Sequence, residues 1–96
     1  MIPVQITALA QDDLRQATEW YDEQGGLGGQ FVDAVDELLM SISDNPRRFS
    51  VVHRDVRRAL LRRFPYGVFF REQPDAIRVI AVVHLRRHPR TWRRRR

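Results

Sequence analysis

The chain has 96 residues, no cysteine and a net charge of +5. Such a length holds one compact domain with a modest core, and the missing thiols exclude disulfide frameworks, thiolate metal sites and cysteine nucleophiles. No stretch approaches the roughly 18 apolar residues of a membrane helix, and the opening Met1-Ile2-Pro3-Val4-Gln5-Ile6 lacks the basic and apolar regions of an export signal, so a cytoplasmic protein without a membrane partner is expected.

The net charge conceals an asymmetry. Residues 1–46 carry nine acids and one base, Arg15, whereas residues 47–96 carry three acids and sixteen arginines, so the halves sum to −8 and +13. A basic half of this strength attracts RNA, DNA or an acidic protein through a long-range field that salt weakens. There is no lysine, which a bias toward GC-rich codons accounts for. Guanidinium grips phosphate oxygens in a planar, two-pronged geometry, but it cannot serve as the deprotonatable amine of a catalytic lysine.

In chain order, Ile2, Val4 and Ile6 alternate and predict a short strand over about residues 2–6. From Leu9 to Gln24 the apolar positions Ala10, Leu14, Ala17 and Tyr21 recur at helical spacing, with Asp12 and Asp13 near the positive end of the dipole. Gly25-Gly26-Leu27-Gly28-Gly29 then predicts a turn outside any helix. No strand precedes these glycines and no Lys-Ser/Thr follows them, so they do not read as a phosphate-cradling loop. A second helix is predicted from about Gln30 to Ser43, with Phe31, Val35, Leu38, Leu39 and Ile42 on one face, ending at Asn45-Pro46. Two amphipathic helices joined by a short turn share one core, so an antiparallel helical hairpin over about 9–43 is expected.

Beyond Pro46 the period changes to two, predicting strands over about 56–63, 66–71 and 77–83, the last two joined by a turn at Gln73-Pro74-Asp75. In the final strand Ile77, Val79, Ala81 and Val83 alternate with Arg78, Ile80, Val82 and His84, so both faces are largely apolar and a central position follows. The expected fold is α+β with two layers over a single domain, 1–96: an N-terminal strand, then an antiparallel helical hairpin packed on a mainly antiparallel sheet of three to four strands (β-α-α-β-β-β). The other sheet face is left to a partner. A basic tail, 84–96, completes the chain.

Several short pieces occur in an order that resembles the RelE/ParE toxin superfamily, and in detail its plasmid-stabilisation ParE-like branch. They are Ala10 through Asp13-Leu14, Ala17 with Glu19-Trp20-Tyr21, Leu27-Gly28 followed by Phe31, and Asn45-Pro46 with Phe49. Further on come Arg57-Arg58, Phe64-Pro65-Tyr66, and His84 with Arg87, Pro89 and Trp92. The resemblance implies a growth-inhibiting bacterial toxin of a type II toxin-antitoxin system, neutralised by a cognate antitoxin that wraps it in a hetero-oligomer. It implies no cofactor. Two targets follow from the two branches, DNA gyrase poisoned by binding, or mRNA cut at the ribosome without a metal.

On the ribonuclease reading, a ribose 2′-hydroxyl attacks the adjacent phosphorus, with His84 as base and Arg58, Arg86 and Arg87 as the cationic field. That branch also uses lysines around the phosphate, and here there are none to carry over, which favours the gyrase reading. The residues expected to contact target or partner are Arg62, Arg87, Arg90, Trp92 and Arg93. Trp92 offers either a face for a nucleic-acid base or an anchor for the tail. His84 and His88 are four apart, but a strand, Pro89 and the lack of a third ligand argue against a metal. Trp20 and Tyr21 are expected in the core, and Phe64-Pro65-Tyr66 at a turn. The antitoxin segment is expected to be acidic and partly disordered when free.

Overall fold

The computed structural model describes residues 1–96. Strand β1 (Val4–Ile6) leads into helices α1 (Ala8–Glu23) and α2 (Gly28–Asp44), followed by strands β2 (Val51–His53), β3 (Val56–Leu60), β4 (Tyr66–Glu72) and β5 (Ile77–His84), and a short helix α3 (Arg90–Arg93). The strands form one sheet in the order β1-β5-β4-β3-β2, antiparallel throughout except where β1 lies beside β5. The α+β, two-layer reading holds, with β5 inside the sheet. Five strands replace the expected three to four, because β2 is only three residues long and too short to show a period.

Thr7 starts α1, its hydroxyl accepting from the Ala10 amide at 3.1 Å. Gly25 and Gly26 end it with φ of 76° and 72°, which residues with a side chain rarely adopt. Gly28 and Gly29, expected in the turn, instead open α2. A side chain at Gly28 would have to push the Asp22 carboxylate aside, so glycine here lets α1 end close to the start of α2. The two helices cover one sheet face, where Ala10, Ala17 and Tyr21 pack with Phe31, Val35 and Ile42 over Val68, Phe70, Ile77 and Val79. Each large side chain fully buried there contributes about 1.5–3 kcal/mol.

The final strand does not alternate as its sequence suggests. Phe69 faces Ala81 while Phe70 faces Val79, which makes Ile80 an extra residue, a β-bulge. Past it the orientation reverses. Val82 joins Ile77 and Val79 beneath the helices, whereas Ile80, Ala81 and Val83 belong to a second cluster on the outer face with Val56, Phe69 and Trp92. The centre of that face is therefore covered by the chain's own tail and is not open to a partner. The β3 strand also stops at Leu60, leaving Arg62 and Arg63 in the loop, while Phe64 turns inward and is buried against Tyr21 and Phe31.

β1 covers only Ile77 to Val79 of the β5 edge. Two side chains finish the job. Asp13 accepts from the Val82 amide at 3.0 Å, and Arg95 donates to the Ile80 carbonyl at 3.1 Å. The two also pair with each other, with side chains 14 % and 15 % exposed. An unpaired sheet edge is a template for unwanted pairing, and this clamp closes it. Arg95→Ala strands the Asp13 carboxylate at a nearly buried edge, and its expected cost is about 2–4 kcal/mol in urea denaturation. Asp13→Asn keeps an acceptor for Val82 and is expected to lose less; equal stability of Arg95→Ala and the parent chain would contradict the clamp.

Candidate functional site

One end of the molecule gathers most of the residues singled out from sequence. The C-terminal ends of α1, β3 and β5 meet there with the start of β4. Two turns stand side by side, residues 61–65 after β3 and 85–89 after β5, tied by a hydrogen bond from the Leu85 amide to the Pro65 carbonyl at 2.9 Å. Each carries an exposed arginine pair, Arg62-Arg63 and Arg86-Arg87. None of these four, nor Arg58 on β3, forms an ion pair.

The bulge divides the proposed ribonuclease residues between two faces. Arg58 pairs across the ladder with Phe69 on the outer face, and its Cγ would lie 3.4 Å from a Cβ at Gly67. His84 comes round to the helix side, where its ring meets Tyr66 edge-on at 5.3 Å. The sheet thus separates His84 from Arg58. The hydrogen bonding of His84 is equally telling, since Nδ1 accepts from the Arg86 amide at 3.0 Å and so commits its lone pair to the turn. A neutral imidazole with Nδ1 as acceptor carries its proton on Nε2 and has no free lone pair for a base. His88 repeats the pattern, accepting from the Arg90 amide at 3.1 Å.

On the helix side, His84 and Arg87 border a cleft of about 200 Å³ with Asp13, Gln16, Trp20 and Tyr66. Burial pushes the Tyr66 phenol above its ordinary value, opposed by the charge of Arg87, so it stays a protonated donor. Tyr21 is core, as expected, but Trp20 is 52 % exposed at the cleft rim. Sequence reasoning missed Asp13, Gln16 and Trp20 as one feature. The available signal was their helical spacing with Leu9, one position ahead of the Ala10, Leu14, Ala17 and Tyr21 core stripe.

A family model described as the ParE toxin of the type II toxin-antitoxin system parDE matches residues 4–89. The chain belongs to the ParE toxin family. Among solved structures, a chain from the chromosomal ParDE TA system of P. aeruginosa is similar with a TM-score of 0.77 at 19 % identity, over 88 % of this chain and 96 % of that one. At that identity the likeness is one of fold. No curated protein matches the sequence. No helix of this ParE toxin is long and apolar enough to cross a membrane.

The tail of the ParE toxin is held down. Trp92 is buried and stacks on Phe69 with centroids 4.4 Å apart, its edge toward His53 and the Arg93 guanidinium over its ring at 5.6 Å. With both faces occupied it anchors the tail, and it offers no platform for a nucleic-acid base. Arg90 and Arg93 project from α3, both exposed. Trp92→Ala is expected to destabilise the toxin by about 3–5 kcal/mol in denaturant titration. Trp20→Ala should stay close to the parent, and an equal loss at both positions would contradict the anchor.

Burial, and then the charges of Arg93, Arg54 and Arg71, hold the nearby His53 below its ordinary value of 6.5. The unfolded chain therefore takes up this proton first. Stability is full above about pH 6.5 and declines as the pH falls through that value toward the lower folded-state pKa. Denaturation midpoints followed across that range should show the decline, and His53→Asn should flatten it.

Proposed function

We infer that this ParE toxin acts in the cytoplasm by binding DNA gyrase, without cleaving RNA, and is held inactive by an acidic, partly disordered segment of a cognate antitoxin. The observation that carries the reading is the commitment of His84 to its own turn, on the opposite sheet face from Arg58. A base and its cations around one phosphate need to share a side; Arg87 borders the cleft with His84, but Arg58 lies across the sheet, and the His84 lone pair is already taken by the Arg86 amide.

What the site offers is a contact surface. Leu60 and Leu85, 48 % and 44 % exposed, lie about Gly67, where the Leu85 and Arg58 side chains close in so tightly that a Cβ would touch both. Two half-exposed leucines within a ring of arginines supply the apolar centre and charged rim typical of a protein-binding patch. The same arginines, Arg62, Arg86, Arg87, Arg90 and Arg93, suit carboxylates of an antitoxin, whose grip should weaken with salt.

The test is gyrase supercoiling in the presence of purified toxin. Supercoiling is expected to stop with the wild type and to resume when the antitoxin from the neighbouring reading frame is added. Leu85→Asp, which places a carboxylate in this leucine patch, is expected to raise the required toxin concentration by at least tenfold. Unaffected supercoiling at concentrations that arrest growth, with broken mRNA in the arrested cells, would sink the gyrase reading and favour the ribonuclease one.

A further inference from the structure

We propose that the unpaired arginines of this toxin bind the phosphate backbone of duplex DNA, so that it grips the DNA on which gyrase works as well as the enzyme. The biological setting rests on the gyrase reading above, but the binding surface is argued from this chain alone.

The charges are sorted by layer. Of the exposed acids that make no ion pair, Asp22, Glu23, Asp33, Asp36 and Glu37 lie on the helical layer and Asp75 alone lies elsewhere, at the β4–β5 turn, while most of the unpaired arginines lie across the sheet or at its end. Arg47, Arg48, Arg57, Arg71 and Arg95 have carboxylate partners. Arg58, Arg62, Arg63, Arg86 and Arg87 have none, and their side chains make no hydrogen bond within the chain. An exposed charge with no internal task is available to an external one. A run of one sign without interleaved acids suits a polyanion of repeating charge better than a folded protein, whose own surface mixes signs.

The aromatic residues select the form of nucleic acid. Single strands and splayed RNA bases are held by stacking on exposed rings. Trp92, the one large aromatic within the arginine-rich tail, is buried against Phe69 with the Arg93 guanidinium over its ring, and the exposed Trp20 belongs to α1 on the helix side. Beside the leucines and His88, whose Nδ1 is held by the Arg90 amide, the arginine surface offers guanidinium, which contacts phosphate and does not require an unstacked base. Base reading is equally unsupported, because α3 is only four residues long and its exposed side chains are arginines. The binding is therefore expected to be indifferent to sequence.

The experiment uses the complete chain and fluorescence anisotropy on labelled 20-base-pair duplexes of two unrelated sequences, with a single strand and a duplex RNA of the same length for comparison. Arg62→Gln with Arg63→Gln, and Arg86→Gln with Arg87→Gln, are set against Arg47→Gln with Arg48→Gln, which removes the same charge from residues already paired with acids. Both DNA duplexes are expected to bind equally well, more tightly than the single strand and at least as tightly as the RNA. Each test pair should lower affinity by about tenfold near physiological salt and make the dependence of log K on log salt shallower by about two, roughly one per lost phosphate contact. The control pair should leave that slope unchanged.

Test pairs indistinguishable from the control would overturn the proposal, since the attraction would then be net charge alone. Tighter binding of the single strand or of the RNA duplex would overturn it too. The two readings fail separately. Duplex binding by a toxin that leaves supercoiling intact removes the gyrase reading and keeps the DNA surface. Full inhibition by the combined Arg62, Arg63, Arg86 and Arg87 variant keeps gyrase as target and removes DNA from its capture.

Discussion

One inserted residue governs the arginine-rich end of this protein. Without the bulge at Ile80, strict alternation along β5 would carry Val82 to the outer face and Ala81 and Val83 beneath the helices, as the sequence suggests. With it, the outer face receives a contiguous patch of Ile80, Ala81 and Val83 on which Trp92 settles, and the Val82 amide turns toward Asp13. Bulges re-aim strand residues and stop ladders. Here that re-aiming puts His84 on the helix side and makes room for the Asp13–Arg95 clamp on the edge that β1 is too short to cover. The anchored tail, the sealed edge and the separation of His84 from Arg58 all follow from the same irregularity.

The clamp and the free arginines show two uses of one side chain. Arg95 is nearly buried, bonded to a carboxylate and a carbonyl, and serves the fold. Arg62, Arg63, Arg86 and Arg87 stand on turns with no partner, and their mutual repulsion is borne by the fold without return. Self-repulsion of this kind destabilises the compact state, so their clustering is better understood through a partner that relieves it than through folding. No acid of the helical layer pairs with any of them.

Much of the architecture was legible because it rests on periodicity. The α1 and α2 stripes, the Asn45-Pro46 stop and the β4–β5 hairpin at Gln73-Pro74-Asp75 each follow from local rules, and the structure has them in place. What escaped depended on contacts distant in sequence. The bulge is set by register against β4, β2 is too short for a pattern, and the helical state of Gly28 reflects its closeness to Asp22. The site divides in the same way. An arginine-rich end with Trp92 and His84 could be read directly, but not the burial of Trp92 against Phe69, nor which sheet face Arg58 and His84 would occupy. Those depend on a side-chain order that a single extra residue reverses.

The parallel pairing of β1 with β5 joins Val4 to Ile77, and the clamp joins Asp13 to Arg95. Neither contact is available to a partly made chain. The helical hairpin can form early from local contacts, but the sheet edge and the arginine turns take shape only once β5 and the tail have emerged and closed back on the N-terminal elements. A growing chain therefore lacks the sealed edge and the arginine turns until β5 and the tail are made. Until then the acidic surface of the helical hairpin is the part of the molecule that is complete.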